Sequence, residues 1–151
     1  MKLFRGSNIA VNRYSSLIYN IFLRTVDFAN HKYLSGLWHK AWDKSCSYFS
    51  GPIETVVHGY KVILNYGYSY PIFSRRFSSY NSPLVELIYQ AYSTRKLPVK
   101  FIDVGAAIGD TVLLIYSNCP DMVENFCCID GDKEFFEYLQ HNLWSAAPHP
   151  N

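Results

Sequence analysis

The chain has 151 residues, of which 49% are apolar and 17% are charged. This is enough apolar sequence for one domain with a buried core, and too much for a disordered chain. The net charge of +2 gives no argument for a nucleic-acid or membrane partner, and no segment is long and apolar enough to span a bilayer. Aromatic residues are frequent, with 13 Tyr and 10 Phe, which favours packing surface over a sugar- or base-stacking surface.

Residues 1–50 are predicted to form an aromatic helical segment. Residues 14–30 show helical spacing of apolar side chains. These are Tyr14, Leu17, Ile18, Ile21, Phe22 and Phe28. The stretch "YLSGLWHKAWDKSCSYF" predicts one or two further helices, with a break near Gly36. We expect this apolar surface to pack on the rest of the chain or on a partner. Membrane-surface binding is a weaker alternative, because the polar face is not densely basic.

Residues 51–98 are predicted to contain a β-hairpin, a loop and a lead-in helix. Two short β-branched runs, 54–57 and 61–65, flank "HGY", which predicts a hairpin with Gly59 in its turn. His58 is expected to be solvated or capping rather than catalytic. The stretch "YPIFSRRFSSYN" has two open interpretations: it closes over a ligand, or it packs beneath a neighbouring element. Ser82 as N-cap and Pro83 at the first position then predict a helix that ends before Pro98.

Residues 99–151 show the alternation of strands and helices that is typical of an α/β fold. "VKFIDVG" is a short apolar strand, "DTVLLIYSNC" a helix, "ENFCCID" a second strand and "DKEFFEYLQHNLW" an amphipathic helix. This order predicts the opening half of a Rossmann-like, doubly wound parallel sheet, preceded by the hairpin and the N-terminal helices.

The cysteines are expected to be reduced thiols in a cytoplasmic protein. None of the four lies in a C-x-x-C pair, and Cys127 and Cys128 are neighbours in a predicted strand. Neighbours in a strand point to opposite faces, so these two are not expected to share a metal or a disulfide. We therefore expect buried thiols and no metal site.

The stretch "FIDVGAAIGDT", residues 101–111, is the predicted ligand-binding motif. Gly105 allows a tight turn and close approach of a ligand to the backbone, and Gly109 allows the helix start to pack closely against the strand. Asp130, at the end of the next strand, is placed to accept ribose hydroxyls. The dinucleotide spacing G-x-G-x-x-G fails at Ala107 and Asp110, and Asp110 would oppose a pyrophosphate. A sulfonium ligand without phosphate is favoured, so S-adenosylmethionine is preferred over NAD.

"FIDVGAAIGDTVLLI" followed by "FCCIDGDKEFFEYLQHNL" resembles the FkbM family of S-adenosylmethionine-dependent methyltransferases. That family has a D-V-G-A-x-x-G turn, a strand ending in an acidic residue and a helix resembling F-E-Y-L-x-x-N-L. The resemblance covers residues 101–143. It departs at Gly131, where proline is usual, and at Ala107, where asparagine is usual.

The resemblance implies a class I methyltransferase that transfers a methyl group to a hydroxyl of a sugar or natural product. It implies a cofactor site for S-adenosylmethionine, and it leaves the catalytic base unassigned. The implied cofactor-binding residues are Asp103, Gly105, Ala106, Ala107, Gly109, Asp110, Asp130, Gly131 and Asp132.

The strand–helix alternation stops after its second repeat, so residues 99–151 are expected to be an incomplete cofactor domain of a truncated methyltransferase. Exposed strand edges, an uncovered sheet face and weak cofactor binding are the expected consequences. Two alternatives stay open. One is half of a nucleotide-binding oxidoreductase. The other is a non-catalytic interaction module in which residues 1–50 act and the α/β part is a relic.

Overall fold

A computed structural model describes residues 9–77 and 79–146 of the chain. This part is mixed α/β, with a two-stranded antiparallel sheet and a separate two-stranded parallel sheet. No helix in this part is long and apolar enough to cross a bilayer. The elements in chain order are α1 (Arg13–Arg24), a 3-10 helix (Val26–Asn30), α2 (Ser35–Tyr48), β1 (Pro52–Val57), β2 (Tyr60–Asn65), α3 (Tyr70–Arg76), α4 (Ser82–Arg95), β3 (Val99–Val104), α5 (Asp110–Asn118), β4 (Val123–Ile129) and α6 (Lys133–Ala146).

The first helix is capped by Asn12 and turns part of its apolar stripe outward. Asn12 accepts hydrogen bonds from the N–H groups of Tyr14 and Ser15, at 3.1 and 3.0 Å, which is an N-cap. The buried face of α1 consists of Ser15, Ser16, Tyr19 and Leu23. Packing of the whole stripe on the rest of the chain is therefore not observed, since Leu17 and Ile21 belong to it and are exposed.

Aromatic side chains pack α1 against α2. Phe22 lies edge-on to Trp38 and Trp42, with ring centroids 5.7 and 5.3 Å apart. Tyr19, which is fully buried, lies 5.7 Å from Trp42. Successive partners on α2 run backwards along the chain as those on α1 run forwards, so the two helices are antiparallel. Many of the aromatic residues of the N-terminal segment are thus packing surface.

The hairpin forms where the sequence predicts it. β1 and β2 pair antiparallel, with Val57 opposite Tyr60. The two turn residues, His58 and Gly59, have φ values of 50° and 90°, the left-handed pair that a type I′ hairpin turn requires. Ile53 and Leu64 are fully buried in the main core beneath the hairpin.

The stretch "YPIFSRRF" forms a helix that packs on its neighbours, as the second interpretation expects, and closure over a ligand stays a prediction. Ile72 on α3 is buried in a small cluster with Leu23, Val26 and Trp38. The following helix α4 has Asn81 as its N-cap residue, one position earlier than predicted. The Asn81 side chain makes no capping hydrogen bond, and its amide donates to the Tyr70 hydroxyl at 2.8 Å.

The described residues cover the parallel strands β3 and β4 on one face only. Phe101 and Phe126 point inward and pack with Ile88 and Ile115 of the neighbouring helices. The alternate residues point to solvent, as the expected uncovered face requires. These are Lys100, Ile102 and Val104 on β3 and Asn125, Cys127 and Ile129 on β4.

The cysteines follow this alternation. All four are free; Cys119 is buried, whereas Cys127 is exposed and Cys128 is half-buried. The prediction that neighbouring thiols point to opposite faces is confirmed. The expectation of buried thiols holds only for Cys119. Cys46 and Cys128 are half-buried, and Cys127 is exposed because no described element covers its face of the sheet.

Asn142 on α6 joins the two halves of the structure. It is fully buried, and its Oδ1 accepts the N–H of Ile63 on β2 at 2.7 Å. Its Nδ2 donates to the carbonyl oxygens of Ile63 and Ile108, at 2.9 and 3.0 Å. One side chain therefore completes the free edge of β2 and fixes the loop between β3 and α5.

Candidate functional site

The site is built where β3 and β4 end. The two strands are parallel, with Asp103 opposite Cys128 and Val104 opposite Ile129, so their carboxyl ends meet. The N–H groups of Gly105 and Ala106 both donate to the carbonyl oxygen of Ile129, at 2.8 and 3.1 Å. The turn after β3 is thereby fixed against the end of β4, as the sequence predicts for a site at this edge of the sheet.

The turn depends on backbone conformations that favour glycine. Gly105 and Gly109 have φ values of 82° and 88°, and Ala107 between them has a φ of 45°, so three residues of the turn are left-handed. A Cβ built on Gly105 would meet no atom within 4 Å, so the backbone there faces open space. A Cβ on Gly109 would lie 3.0 Å from Leu143 Cδ2 and 3.1 Å from Leu139 Cδ1. Gly109 therefore allows close packing against α6 rather than against the strand.

Asp130 links the two loops of the site. Its Oδ2 accepts the N–H of Ala107 at 2.8 Å, and its Oδ1 accepts the N–H of Asp132 at 2.8 Å. A carboxylate has about four lone-pair positions, so two remain for a ligand. The Ala107 hydrogen bond also explains how the turn tolerates a left-handed alanine there.

The next two residues have different roles. Asp132 accepts the N–H groups of Glu134 and Phe135 through Oδ1, at 2.8 and 3.0 Å, which makes it the N-cap of α6. Gly131 is exposed, and a Cβ placed on it would meet no atom within 4 Å. The Asp132 side chain bonds to the start of α6 and makes no hydrogen bond to the turn after β3 within the described residues. We therefore take Asp103, Asp110 and Asp130 as the acidic side chains of the site's centre.

Asp103 and Asp110 are carboxylates in a desolvated setting. Burial raises the pKa of Asp110 to about 6, and the nearby charge of Asp103 adds to the shift. Burial also raises the pKa of Asp103; the Thr111 hydroxyl opposes that shift and the charge of Asp130 reinforces it. The Oδ2 atom of Asp103 is buried and has no hydrogen-bond partner among the described residues, which leaves an acceptor ready for a ligand donor.

Two tyrosines complete the site. Neither was predicted as a cofactor-binding residue, although Tyr70 begins the stretch "YPIFSRRFSSYN", for which closure over a ligand was one interpretation. The Tyr68 hydroxyl donates to Asp110 Oδ1 at 3.4 Å. Burial and the charge of Asp110 raise the pKa of Tyr68 and of Tyr70, so both remain phenols. The signal available in the sequence was the "YSYP" spacing, which places both rings on the same side of an extended segment.

Behind Tyr70 lies His58, which the sequence predicted to be solvated or capping. It is instead half-buried, with Nε2 2.8 Å from the Tyr70 hydroxyl. Asn81 Nδ2 donates to that hydroxyl, so the phenol hydrogen is free to point to Nε2, and the imidazole then carries its own hydrogen on Nδ1. Burial lowers the pKa of His58, which agrees with a neutral ring.

The centre of the site is acidic, and no described residue supplies a cationic partner for it. Within residues 9–77 and 79–146 the only ion pair joins Lys61 to Glu54 on the hairpin. No group of three or more His, Cys, Asp or Glu in these residues is arranged to hold a metal ion. Three carboxylates near an open glycine turn attract a cation and accept hydroxyl donors, and they repel a pyrophosphate.

Comparisons with protein-family models, with curated proteins and with solved structures gave no match to this chain.

Proposed function

We propose that the chain binds S-adenosylmethionine at this site and carries part of a class I methyltransferase domain of the FkbM type. The observation that supports the proposal is the acidic centre, unpaired with any cation among the described residues and set at the adjoining ends of two parallel strands. A ligand with a sulfonium charge, an ammonium group and a ribose, but no phosphate, matches these acceptors.

The acceptors divide among the parts of such a ligand. Asp130 has free lone pairs beside the turn for ribose hydroxyls. Asp103 has a buried oxygen, unpartnered in the described structure, for a donor at the methionine end. Asp110, held by Tyr68, adds negative charge for the cation. The open space before Gly105 gives the ligand room against the backbone.

The proposed acceptor is a hydroxyl group of a sugar or a small natural product. When bound, S-adenosylmethionine supplies an electrophilic methyl group to an acceptor oxygen, and positioning contributes much of the rate of such a transfer. The half-buried rings of Tyr68 and Tyr70 offer aromatic surface for a glycan or a flat molecule. A cytoplasmic location belongs to the proposal, since the four free thiols suit a reducing compartment.

Titration calorimetry on the whole chain tests this function with three ligands. S-adenosylmethionine is expected to bind more tightly than S-adenosylhomocysteine, because only the former carries the sulfonium charge. NAD is expected to bind least, because its pyrophosphate meets Asp110. Tighter binding of NAD would instead favour the oxidoreductase alternative and contradict the proposal.

Variants of Asp130 locate the binding. Asp130→Asn keeps one oxygen acceptor, for the N–H of Ala107, but removes the charge and the second acceptor, which receives the N–H of Asp132. We expect S-adenosylmethionine affinity to fall about tenfold, as for a lost charge-assisted hydrogen bond. The matched control is Asp121→Asn, since Asp121 is an exposed carboxylate outside the site. Equal affinity of Asp130→Asn and the control would refute the role of Asp130.

A further inference from the structure

The first helix presents an apolar stripe to solvent. Tyr14, Leu17 and Ile21 are 63%, 58% and 48% exposed. They lie three and four residues apart and therefore share one face of α1. Arg13 and Arg24 are also exposed, at the two ends of the helix. One apolar stripe of α1 therefore faces away from the core, while Tyr19 and Leu23 on its other side are buried.

Specific hydrogen bonds fix this orientation. Ser16 Oγ accepts the N–H of Glu54 on β1 at 3.0 Å, and Asn20 Nδ2 donates to the carbonyl oxygen of Glu54 at 3.0 Å. Asn20 Oδ1 also accepts the Thr55 hydroxyl at 2.7 Å. The polar side of α1 thus covers the free edge of β1. Rotating the helix to bury Leu17 would break these three hydrogen bonds, two of which are partly buried.

The second helix continues the pattern. Leu37 and Tyr48 are exposed on α2, three turns apart on the same outward face, with exposed Lys44 between them. Lys44 lies 6.0 Å from the ring of Tyr48, and Lys32 lies 5.5 Å from the ring of exposed Tyr33. Such lysine–tyrosine pairs present an apolar body and a charged end together.

Charge is divided unevenly along the chain. Residues 1–50 contain seven of the 14 Lys and Arg residues but only two of the 12 Asp and Glu residues. The remainder of the chain carries the acidic excess, including the acidic candidate site. The net charge of +2 for the whole chain is the sum of a basic N-terminal segment and an acidic remainder, and the apolar stripes of α1 and α2 lie in the basic segment.

We infer that the α1–α2 surface docks on an anionic phospholipid bilayer, lying in the interface without crossing it. This surface consists of Tyr14, Leu17, Ile21, Phe28, Leu37 and Tyr48, flanked by Arg13, Arg24, Lys32, Lys40 and Lys44. Interfacial helices combine buried apolar side chains with basic residues that pair with lipid headgroups. Charge complementarity favours anionic lipid over a second copy of the chain, whose matching surface is also basic. The inference does not depend on the proposed methyltransferase function.

Vesicle co-sedimentation of the full chain tests the inference. We expect the chain to bind phosphatidylcholine vesicles that contain roughly 30% phosphatidylserine and not vesicles of phosphatidylcholine alone. Raising the salt from about 0.1 M to about 0.5 M is expected to release most of the bound chain. No sedimentation with the anionic vesicles, or equal binding to both vesicle types, would overturn the inference.

Matched variants place the contact on α1. Leu17→Ser with Ile21→Ser is expected to lower the partition coefficient at least about tenfold, because two exposed apolar side chains no longer enter the interface. Leu97→Ser is the control, since Leu97 is 67% exposed elsewhere. Likewise Arg24→Gln is expected to lower binding about fivefold, and Arg95→Gln not at all. Circular dichroism confirms that each variant is folded.

Light scattering separates the competing occupant. The surface joins two copies, and the lipid inference is wrong, if two results are found together. The chain forms a dimer that the double substitution Leu17→Ser with Ile21→Ser converts to a monomer, and the chain binds neither type of vesicle. A monomer that binds only the anionic vesicles supports it.

Discussion

Replacing Asp110 by asparagine is expected to stabilise the protein at neutral pH. Asp110 begins α5, where it is buried beside Tyr68 and near Asp103. Its ionised form is disfavoured by burial, and no cation among the described residues compensates it. Asparagine keeps an oxygen that accepts the Tyr68 hydroxyl, but it carries no charge. The substitution therefore removes the desolvation cost while keeping the local geometry.

The size and the sign of the expected change in stability follow from the pKa of Asp110. The pKa rises from 3.8 in the unfolded chain to about 6 in the folded one, so the folded state binds more protons between these values. Stability from this group is therefore full below about pH 4 and is lost as the pH rises through about 6. Two pKa units correspond to about 3 kcal/mol as an upper bound, and we expect about 1–3 kcal/mol for Asp110→Asn near pH 7.5, with little gain near pH 4.

Urea unfolding at about pH 4 and about pH 7.5 measures this difference. The quantity to compare is the free energy of unfolding of the variant minus that of the wild type, at each pH. Asp121→Asn, at an exposed position, is the control and is expected to change neither value by more than about 0.5 kcal/mol. A variant that is less stable than wild type at neutral pH, or one whose gain is equal at both pH values, would refute the reasoning.

Two further substitutions test the packing that holds the site. Gly109→Ala is expected to lower the free energy of unfolding by about 2–3 kcal/mol, because alanine at a φ of 88° is strained and its Cβ would lie 3.0 Å from Leu143. Gly131→Ala is the near-neutral control, since a Cβ there meets no atom within 4 Å. Equal thermal denaturation midpoints for the two variants would contradict this prediction. Asn142→Leu is expected to lower the free energy of unfolding, measured by chemical denaturation, by about 3–5 kcal/mol, because it leaves the N–H and C=O of Ile63 and the C=O of Ile108 unpaired. The control is Gln140→Leu at an exposed position of the same helix. A loss below about 1 kcal/mol, similar to that of the control, would show that these hydrogen bonds contribute little.

Several local features could be predicted from the sequence because each depends on nearby residues. "HGY" between two β-branched runs predicts the hairpin, and the structure has left-handed His58 and Gly59 in its turn. The spacing of Gly105 and Gly109 predicts a tight loop between strand and helix, and both have positive φ values. The approach of Asp130 to this loop follows from two parallel strands that end side by side.

Other features depend on which face of an element is covered, and periodicity alone does not determine this. The apolar stripe of α1 was expected to pack on the chain or on a partner, and Ser16 and Asn20 bond to the edge of β1 and turn part of that stripe outward. Cys127 was expected to be buried, yet no described element covers its face of the sheet. The hydrogen bonds from Ser16 and Asn20 to the edge of β1 therefore fix the orientation of α1.

The sequence by itself determined the glycine turn, the two strand ends and the carboxylate that joins them, because a short parallel pair brings these together whatever surrounds it. Only the tertiary structure decided the electrostatics of the site. Tyr68 lies over Asp110 because Tyr19 donates to the Tyr68 carbonyl oxygen at 2.7 Å, a contact across 49 residues. Burial of this kind is a property of the assembled fold, and it is what raises the pKa of Asp110.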